Sequence, residues 1–230
     1  MLDSARQAQR KSSSFHVCSF SLLFDVTPLP QELCPGGTYS ASNEARLAIE
    51  HYYIASSPVA RMLGKYFKKL FPTAYEKSAA AFEAGQWVQG DPGPWLGRAI
   101  IYKLQGSFHV DDKDEGPTVS FPCGHFFGGE MIPPQLDVKY RCIPPLFVFG
   151  SLLTNFSYKA GHICFFESAD VFHYVANYTM PDYYSDRHNT TPGRIGSVFF
   201  NPQLSMKHLQ GKAAKWAEKT KYGRHPSPIR

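Results

Sequence analysis

Cysteine is sparse and unpatterned in this chain. Five residues in 230, Cys18, Cys34, Cys123, Cys142 and Cys164, show no C-x-x-C spacing. An odd count without that spacing argues against a disulfide framework or a structural zinc site, and it fits a reducing compartment, nuclear or cytoplasmic. The three sequons at Asn155, Asn177 and Asn189 are therefore read as chance matches and not as glycan sites. No run of about 18 uncharged apolar residues occurs, so neither a membrane-spanning helix nor a membrane partner is expected. No internal repeat is present, which sets aside solenoids and propellers. Acids are the minority charge, 19 against 24 Lys and Arg, for a net +5. The excess is local: from Lys207 to Arg230 seven basic residues face one acid, Glu218, so this end carries +6 and the remainder −1. Such a tail either binds phosphates or is a solvated end.

What is present divides the chain in four. Residues 1–40 hold Arg6, Arg10, Lys11 and a serine cluster ahead of the apolar Cys18 to Val26. This composition suits a flexible arm entering an edge strand better than a transit peptide. Residues 41–97 read as a helical support region. A cap at Ser42-Asn43-Glu44 opens a helix to about Ala55, and Ser57-Pro58 supplies an N-cap and a first-position proline for a second. In that second helix Val59, Met62, Leu63, Tyr66, Phe67 and Leu70 form an apolar side, while Arg61, Lys65, Lys68 and Lys69 share another. A third helix, about Thr73 to Ala84, stops at Gly85, a residue suited to the left-handed C′ position. The segment Trp87 to Trp95, with Gly90, Pro92, Gly93 and Pro94, excludes regular structure and reads as a hinge. Residues 98–205 alternate short β-type runs with Gly/Pro turns: Ala99 to Leu104, Phe126 to Ile132, Asp137 to Arg141, His162 to Glu167, Phe172 to Asn177 and Gly196 to Phe200. That pattern predicts an α+β protein with a jelly-roll or sandwich core. Residues 206–230 are the basic tail.

Candidate chemistry centres on His109 and Asp111, just after the apolar run Ala99-Ile100-Ile101-Tyr102. In an extended backbone residues two apart leave the same face, so an imidazole and a carboxylate here can reach one ion. A second imidazole would complete the two-histidine, one-carboxylate set of non-haem Fe(II) oxygenases. His125, His162, His173 and His188 are candidates, and His173 is the best placed, inside the apolar Ala169 to Val175. Some twenty residues on, Arg194 enters an apolar strand within Thr191 to Phe200. A guanidinium buried there calls for an anion, and a carboxylate matches it bidentately.

These parts, together with Gly128-Gly129-Glu130-Met131 and Gly161-His162-Ile163-Cys164-Phe165-Phe166, occur in the order seen in Fe(II)/2-oxoglutarate dioxygenases. Within that superfamily the string resembles the fungal TET/JBP-like group over roughly residues 58–203. Asp91 to Arg98, Tyr102-Lys103-Leu104-Gln105, the His109 region through Gly116-Pro117, Phe126 to Met131 and Pro192 to Phe200 carry the resemblance. It implies a double-stranded β-helix (jelly-roll, cupin-like) core with N-terminal helices packed on it. It also implies iron on His109, Asp111 and His173, 2-oxoglutarate held at its far carboxylate by Arg194, and O2 as the third reactant. The implied reaction is oxidation of a nucleobase methyl group, most of all 5-methylcytosine in DNA, with a nuclear DNA-demethylating role. DNA is favoured over RNA. Arg61, Lys65, Lys68, Lys69 and the tail would contact phosphates, while Tyr183, Tyr184 or Phe108 would stack on a flipped base. The alternatives are a 2-oxoglutarate dioxygenase acting on a protein side chain or small molecule, and a catalytically impaired binding module.

One segment departs from the pattern. Tyr140 to Phe156, an apolar insertion spanning 140–156, separates Lys139 from Ser157, and reads either as a translated intron or as a lineage-specific lid or partner surface. Asp112 and Asp114 are expected to shape the turn that presents Asp111, not to bind the ion.

Overall fold

The protein is described by a computed structural model covering residues 17–21, 43–86, 90–102, 107–134, 160–179 and 193–221. The 140–156 insertion lies outside these residues, as does the expected strand Asp137 to Arg141. No helix among them is long and apolar enough to cross a membrane.

A five-stranded antiparallel sheet carries the architecture. Its strands are β1 (Val17–Ser21), β2 (Gly97–Tyr102), β3 (Thr118–His125), β6 (Cys164–Phe166) and β9 (Gly193–Phe200). They lie in the order β1-β2-β9-β3-β6, so the last strand sits between two early ones. Four two-residue strands form two further antiparallel pairs: β4 (Phe127–Gly128) with β8 (Tyr178–Thr179), and β5 (Met131–Ile132) with β7 (Tyr174–Val175). A single bridge joins His109 to His173.

The helical layer is built from α1 (Asn43–Leu70), α2 (Pro72–Gly85), α3 (Gln203–Leu209) and α4 (Trp216–Thr220). Two expected helices are thus one: α1 runs through Pro58. Proline removes the bond to the carbonyl four residues back, which belongs to Ile54. That residue is 62% exposed, so the interruption falls on a solvent-facing turn of the helix. The apolar stripe is correspondingly displaced. Tyr53, Ala60, Leu63 and Phe67 are buried at heptad-like spacing, whereas Val59 and Met62, expected on that side, are each 39% exposed. Gly85 is the last helical residue and buried, not a left-handed cap, and Gln86 closes the helix at φ −53°.

Alternation along the strands separates two faces. Val119 and Phe199 point to the helices and join Ala60, Leu63, Phe67 and Trp95 in one buried cluster. The Phe67 and Trp95 rings stack at 5.2 Å, and each such buried aromatic contributes roughly 1.5–3 kcal/mol of transfer free energy. A second cluster joins Tyr53, Phe82 and Leu96 to Met206, Leu209 and Ala217, so the first part of the basic tail is helical and packed. The described part of the segment read as a hinge, residues 90–95, is irregular, as its prolines and glycines require, but from Asp91 on it belongs to the core. Asp91, Trp95 and Leu96 are buried, and Arg98 beyond them is 0% exposed. Arg98 donates to Asp91 and, at 2.9 Å, to Ser56 Oγ. Its guanidinium lies 4.4 Å from the centroids of both the Tyr53 and Phe199 rings. One side chain thereby ties α1, the Gly90 to Leu96 segment and the sheet together.

Strand β3 is absent from the expected β-type runs, and its Pro122 and Gly124 locally disfavour a strand. Pairing with β6 ends at Ser120, so at Pro122 the strand has a ladder partner only in β9, where a missing N–H is tolerated.

Candidate metal centre

The opposite face of the sheet lines a cavity of about 290 Å³. Ala99 and Ile101 of β2, Thr118 and Ser120 of β3, Phe166 of β6 and the residues Arg194, Gly196, Val198 and Phe200 of β9 form one wall. Their positions follow from register: Ala99 pairs with Val198, Ile101 with Gly196, and Ser120 with Val198 on the other side. Met131 and Val175 face them from the short strands, and His109, Asp111, Asp114 and His173 close the polar end.

His109 and His173 are directly opposite each other, each N–H donating to the other's carbonyl, at 3.1 and 2.9 Å. Asp111 is held two residues on by its N–H to the Ser168 carbonyl, at 2.9 Å. The facing expected from i and i+2 alternation is therefore realised. Ligand atoms of His109, Asp111 and His173 all fall within 4.8 Å of one another. The Nε2 atoms of His109 and His173 lie 3.6 and 3.7 Å from the two carboxylate oxygens of Asp111.

The two rings are oriented by main-chain carbonyls. Nδ1 of His109 is 2.6 Å from Ser107 O, and Nδ1 of His173 is 2.9 Å from Val171 O. A carbonyl only accepts, so each ring keeps its proton on Nδ1 and presents the Nε2 lone pair inward. That donor set, two neutral imidazole nitrogens and a carboxylate converging on one point, fits a divalent iron. Burial lowers the His173 pKa, opposed by the Val171 hydrogen bond and the Asp111 charge, which favours the neutral ring a metal requires. The Phe166 ring stands edge-on to His173 at 4.9 Å and seals that side.

Asp112 is exposed. Asp114 shapes the turn, its N–H reaching the Asp111 carbonyl at 2.9 Å, but its carboxyl also lines the cavity. Burial, reinforced by the Asp111 charge, pushes that carboxyl up to about 7 against hydrogen bonds from Ser168 and Thr118. Thr118 and Ser168 are themselves joined at 2.8 Å. Sequence reasoning does not single out Thr118 and Ser120; the alternating Thr118-Val119-Ser120-Phe121 is the available signal.

Arg194 is 3% exposed and reaches the cavity from β9. Its course depends on absent side chains. A Cβ at Gly129 would come within 3.1 Å of Arg194 Cδ, and one at Gly196 within 3.3 Å of its Nη1. Gly128 and Gly129 also hold φ of +79° and +71°, which only glycine adopts cheaply. Gly129 thus clears the path of the arginine, while Gly128 lets the chain pass close to the Asn177 carbonyl.

Of the other histidine candidates, His125 ends β3 near Phe127 and His162 is buried elsewhere; neither joins the cluster. His188, Tyr183 and Tyr184 lie outside the described residues. Arg61, Lys65, Lys68 and Lys69 are exposed on α1, with Lys68 Nζ 5.5 Å from the Tyr75 ring centroid. Phe108 is 54% exposed and stacks on Phe172 at 4.8 Å. It precedes His109, so its ring leaves the other face of the chain, away from the cavity.

No family model matches the chain, and no curated protein matches it. Among solved structures the chain is similar to NgTET1 in complex with 5mC DNA, at 17% identity and a TM-score of 0.53. The match covers 89% of this chain and 66% of that one, so the chain spans about two thirds of that protein's length. It also matches OsALKBH1, at 13% identity and a TM-score of 0.39, over 87% of this chain and 91% of that one. The first likeness is one of fold, helices backing an antiparallel sheet; the second is too low to carry a shared fold.

Proposed function

We propose that the chain is an Fe(II)- and 2-oxoglutarate-dependent dioxygenase that oxidises a methyl group on a nucleobase, with 5-methylcytosine in DNA as the first candidate. The observation that carries this reading is the convergence of His109, Asp111 and His173 on one point at the polar end of a cavity that also contains Arg194. The fungal TET/JBP-like placement rests on the motifs and order given above, and it is supported by the likeness of fold to a protein seen with 5mC DNA. We read the large sheet and the short strand pairs as the two halves of a double-stranded β-helix, spanning 98–205 and supported by 41–97. The strand order, with β9 between β2 and β3, supports that reading.

In this account His109, Asp111 and His173 hold the iron, and the carbonyls of Ser107 and Val171 fix the ring orientations. Bound iron with 2-oxoglutarate and O2 supplies the oxidation: the co-substrate leaves as succinate and CO2, and one oxygen atom enters the substrate C–H bond. Arg194 pairs with the far carboxylate of 2-oxoglutarate and sets the direction in which it enters the cavity. Ile101, Met131, Phe166, Val175, Val198 and Phe200 exclude water around it. A base in duplex DNA reaches such a cavity only when flipped from the stack.

The test is to incubate the protein with Fe(II), 2-oxoglutarate and oligonucleotides carrying methylated bases, then measure succinate and oxidised nucleosides by mass spectrometry. Matched yields of the two are expected. Succinate without any modified nucleoside moves the substrate to a protein side chain or small molecule; no succinate at all rejects the enzyme reading in favour of a binding module.

A further inference from the structure

Among the described residues two basic surfaces stand out, and they stand in different relations to the metal-site cavity. The stripe Arg61, Lys65, Lys68 and Lys69 lies on the exposed side of α1, whose inner residues Ala60, Leu63 and Phe67 pack on the sheet face opposite the cavity. A helix roughly 10 Å across and the sheet itself stand between stripe and cavity. The second surface is a groove of about 650 Å³ between α2 and α3. Lys77, Lys207 and Lys212 line it with the amides of Gln203 and Gln210, and Glu115 is its one carboxylate among the lining residues. Lys77, Lys207 and Lys212 are all exposed.

Groove and cavity draw on one turn of the chain. Asp114 lines the cavity and Glu115 lines the groove, so their walls are consecutive residues, about 3.8 Å apart along the chain. The junction is pinned. Glu115 N–H donates to the Asn201 carbonyl at 2.8 Å, and Gln203 N–H to the Lys113 carbonyl at 2.7 Å. The start of α3 is therefore fastened to the turn that presents Asp111.

Resting on the nucleic-acid reading above, we infer that the α2–α3 groove is the phosphodiester-binding surface that sets a nucleic acid in register with the metal centre, in place of the α1 stripe. Three exposed lysines lining an open trough with neutral amide donors match a run of phosphates, with Lys212 Nζ 5.1 Å from the Trp216 ring centroid, and the net charge of the lining is positive. The chain continues basic from the groove, with Lys215, Lys219 and Lys221 following Lys212. Charge neutralisation by such lysines acts through counterion release, so it leaves a signature in salt dependence that a structural role does not.

The experiment compares duplex oligonucleotide binding, across a salt series, by the wild-type chain, by K77Q/K207Q/K212Q and by R61Q/K65Q/K68Q/K69Q. Melting curves and iron stoichiometry serve as fold controls. The groove variant is expected to bind at least about tenfold more weakly at low salt. Its slope of log affinity against log salt should be shallower by nearly three, close to one for each phosphate that is no longer neutralised. The stripe variant should keep the wild-type slope. Should the triple variant not fold, the three single Lys→Gln variants, each shallower by about one, give the same result. Wild-type affinity and slope in the groove variants would overturn the inference while leaving the nucleic-acid reading intact. No binding by the wild-type chain to any oligonucleotide would overturn both.

Discussion

Arg98 and Arg194 sit on neighbouring strands, are 0% and 3% exposed, and face opposite sides of one sheet. Arg98 turns to the helices, where Asp91, Ser56 and the rings of Tyr53 and Phe199 surround it. Arg194 turns to the cavity, along a course that Gly129 and Gly196 leave open. Burial of a guanidinium alone therefore does not mark a ligand site. What distinguishes the two is the face each serves: Arg98 is held by Asp91 and Ser56 under the helices, whereas Arg194 borders the cavity.

The contrast can be broken experimentally. The largest effect is expected at Asp91: Asp91→Ala leaves the Arg98 charge buried without its carboxylate and should cost about 3–5 kcal/mol of stability, read by chemical denaturation. Arg194→Met should act on ligand affinity, weakening 2-oxoglutarate binding by about 2–5 kcal/mol, roughly 30- to 4000-fold, while iron binding persists. Calorimetric titration of the iron-loaded protein measures it. An Arg194→Met chain as destabilised as Asp91→Ala, with unchanged 2-oxoglutarate affinity, would collapse the distinction. Gly129→Ala places a methyl group against Arg194 at a positive φ; a loss of about 1–2 kcal/mol of stability is expected by chemical denaturation, with weaker 2-oxoglutarate binding in the same titration. Asp114→Ala, which removes a carboxyl from the turn that carries Asp111, should lower iron affinity about tenfold. Asp112→Ala is the smallest case, within about 0.5 kcal/mol of wild type in stability and with iron binding retained.

The parts of this arrangement that depend on local chemistry are visible in the chain. His109 and Asp111 share a face because strand side chains alternate, and Arg194 stands out as a charge inside an apolar run. His173 is marked by its apolar neighbours and is buried as they imply. The parts that depend on tertiary context are not visible. Pro58 looks like the start of a helix because nothing local says that the helix will run on through it on a solvent-facing side. Pro122 hides β3 because a strand paired on only one side there tolerates what a central strand does not. Asp91 and Arg98 lie in and beside a segment that reads as a hinge, since their pairing forms only when that segment is folded under the helices. The groove beside Glu115 joins residues from near positions 77, 115 and 210, a juxtaposition that no spacing rule reaches.

The central claim is that His109, Asp111 and His173 act together as one iron site. Anaerobic Fe(II) titration of the purified chain and of its Asp111→Asn and His173→Ala variants tests it most directly. One ion per chain in the wild type, lost in both variants with melting curves unchanged, is the predicted result. Iron bound equally by all three proteins would contradict the account.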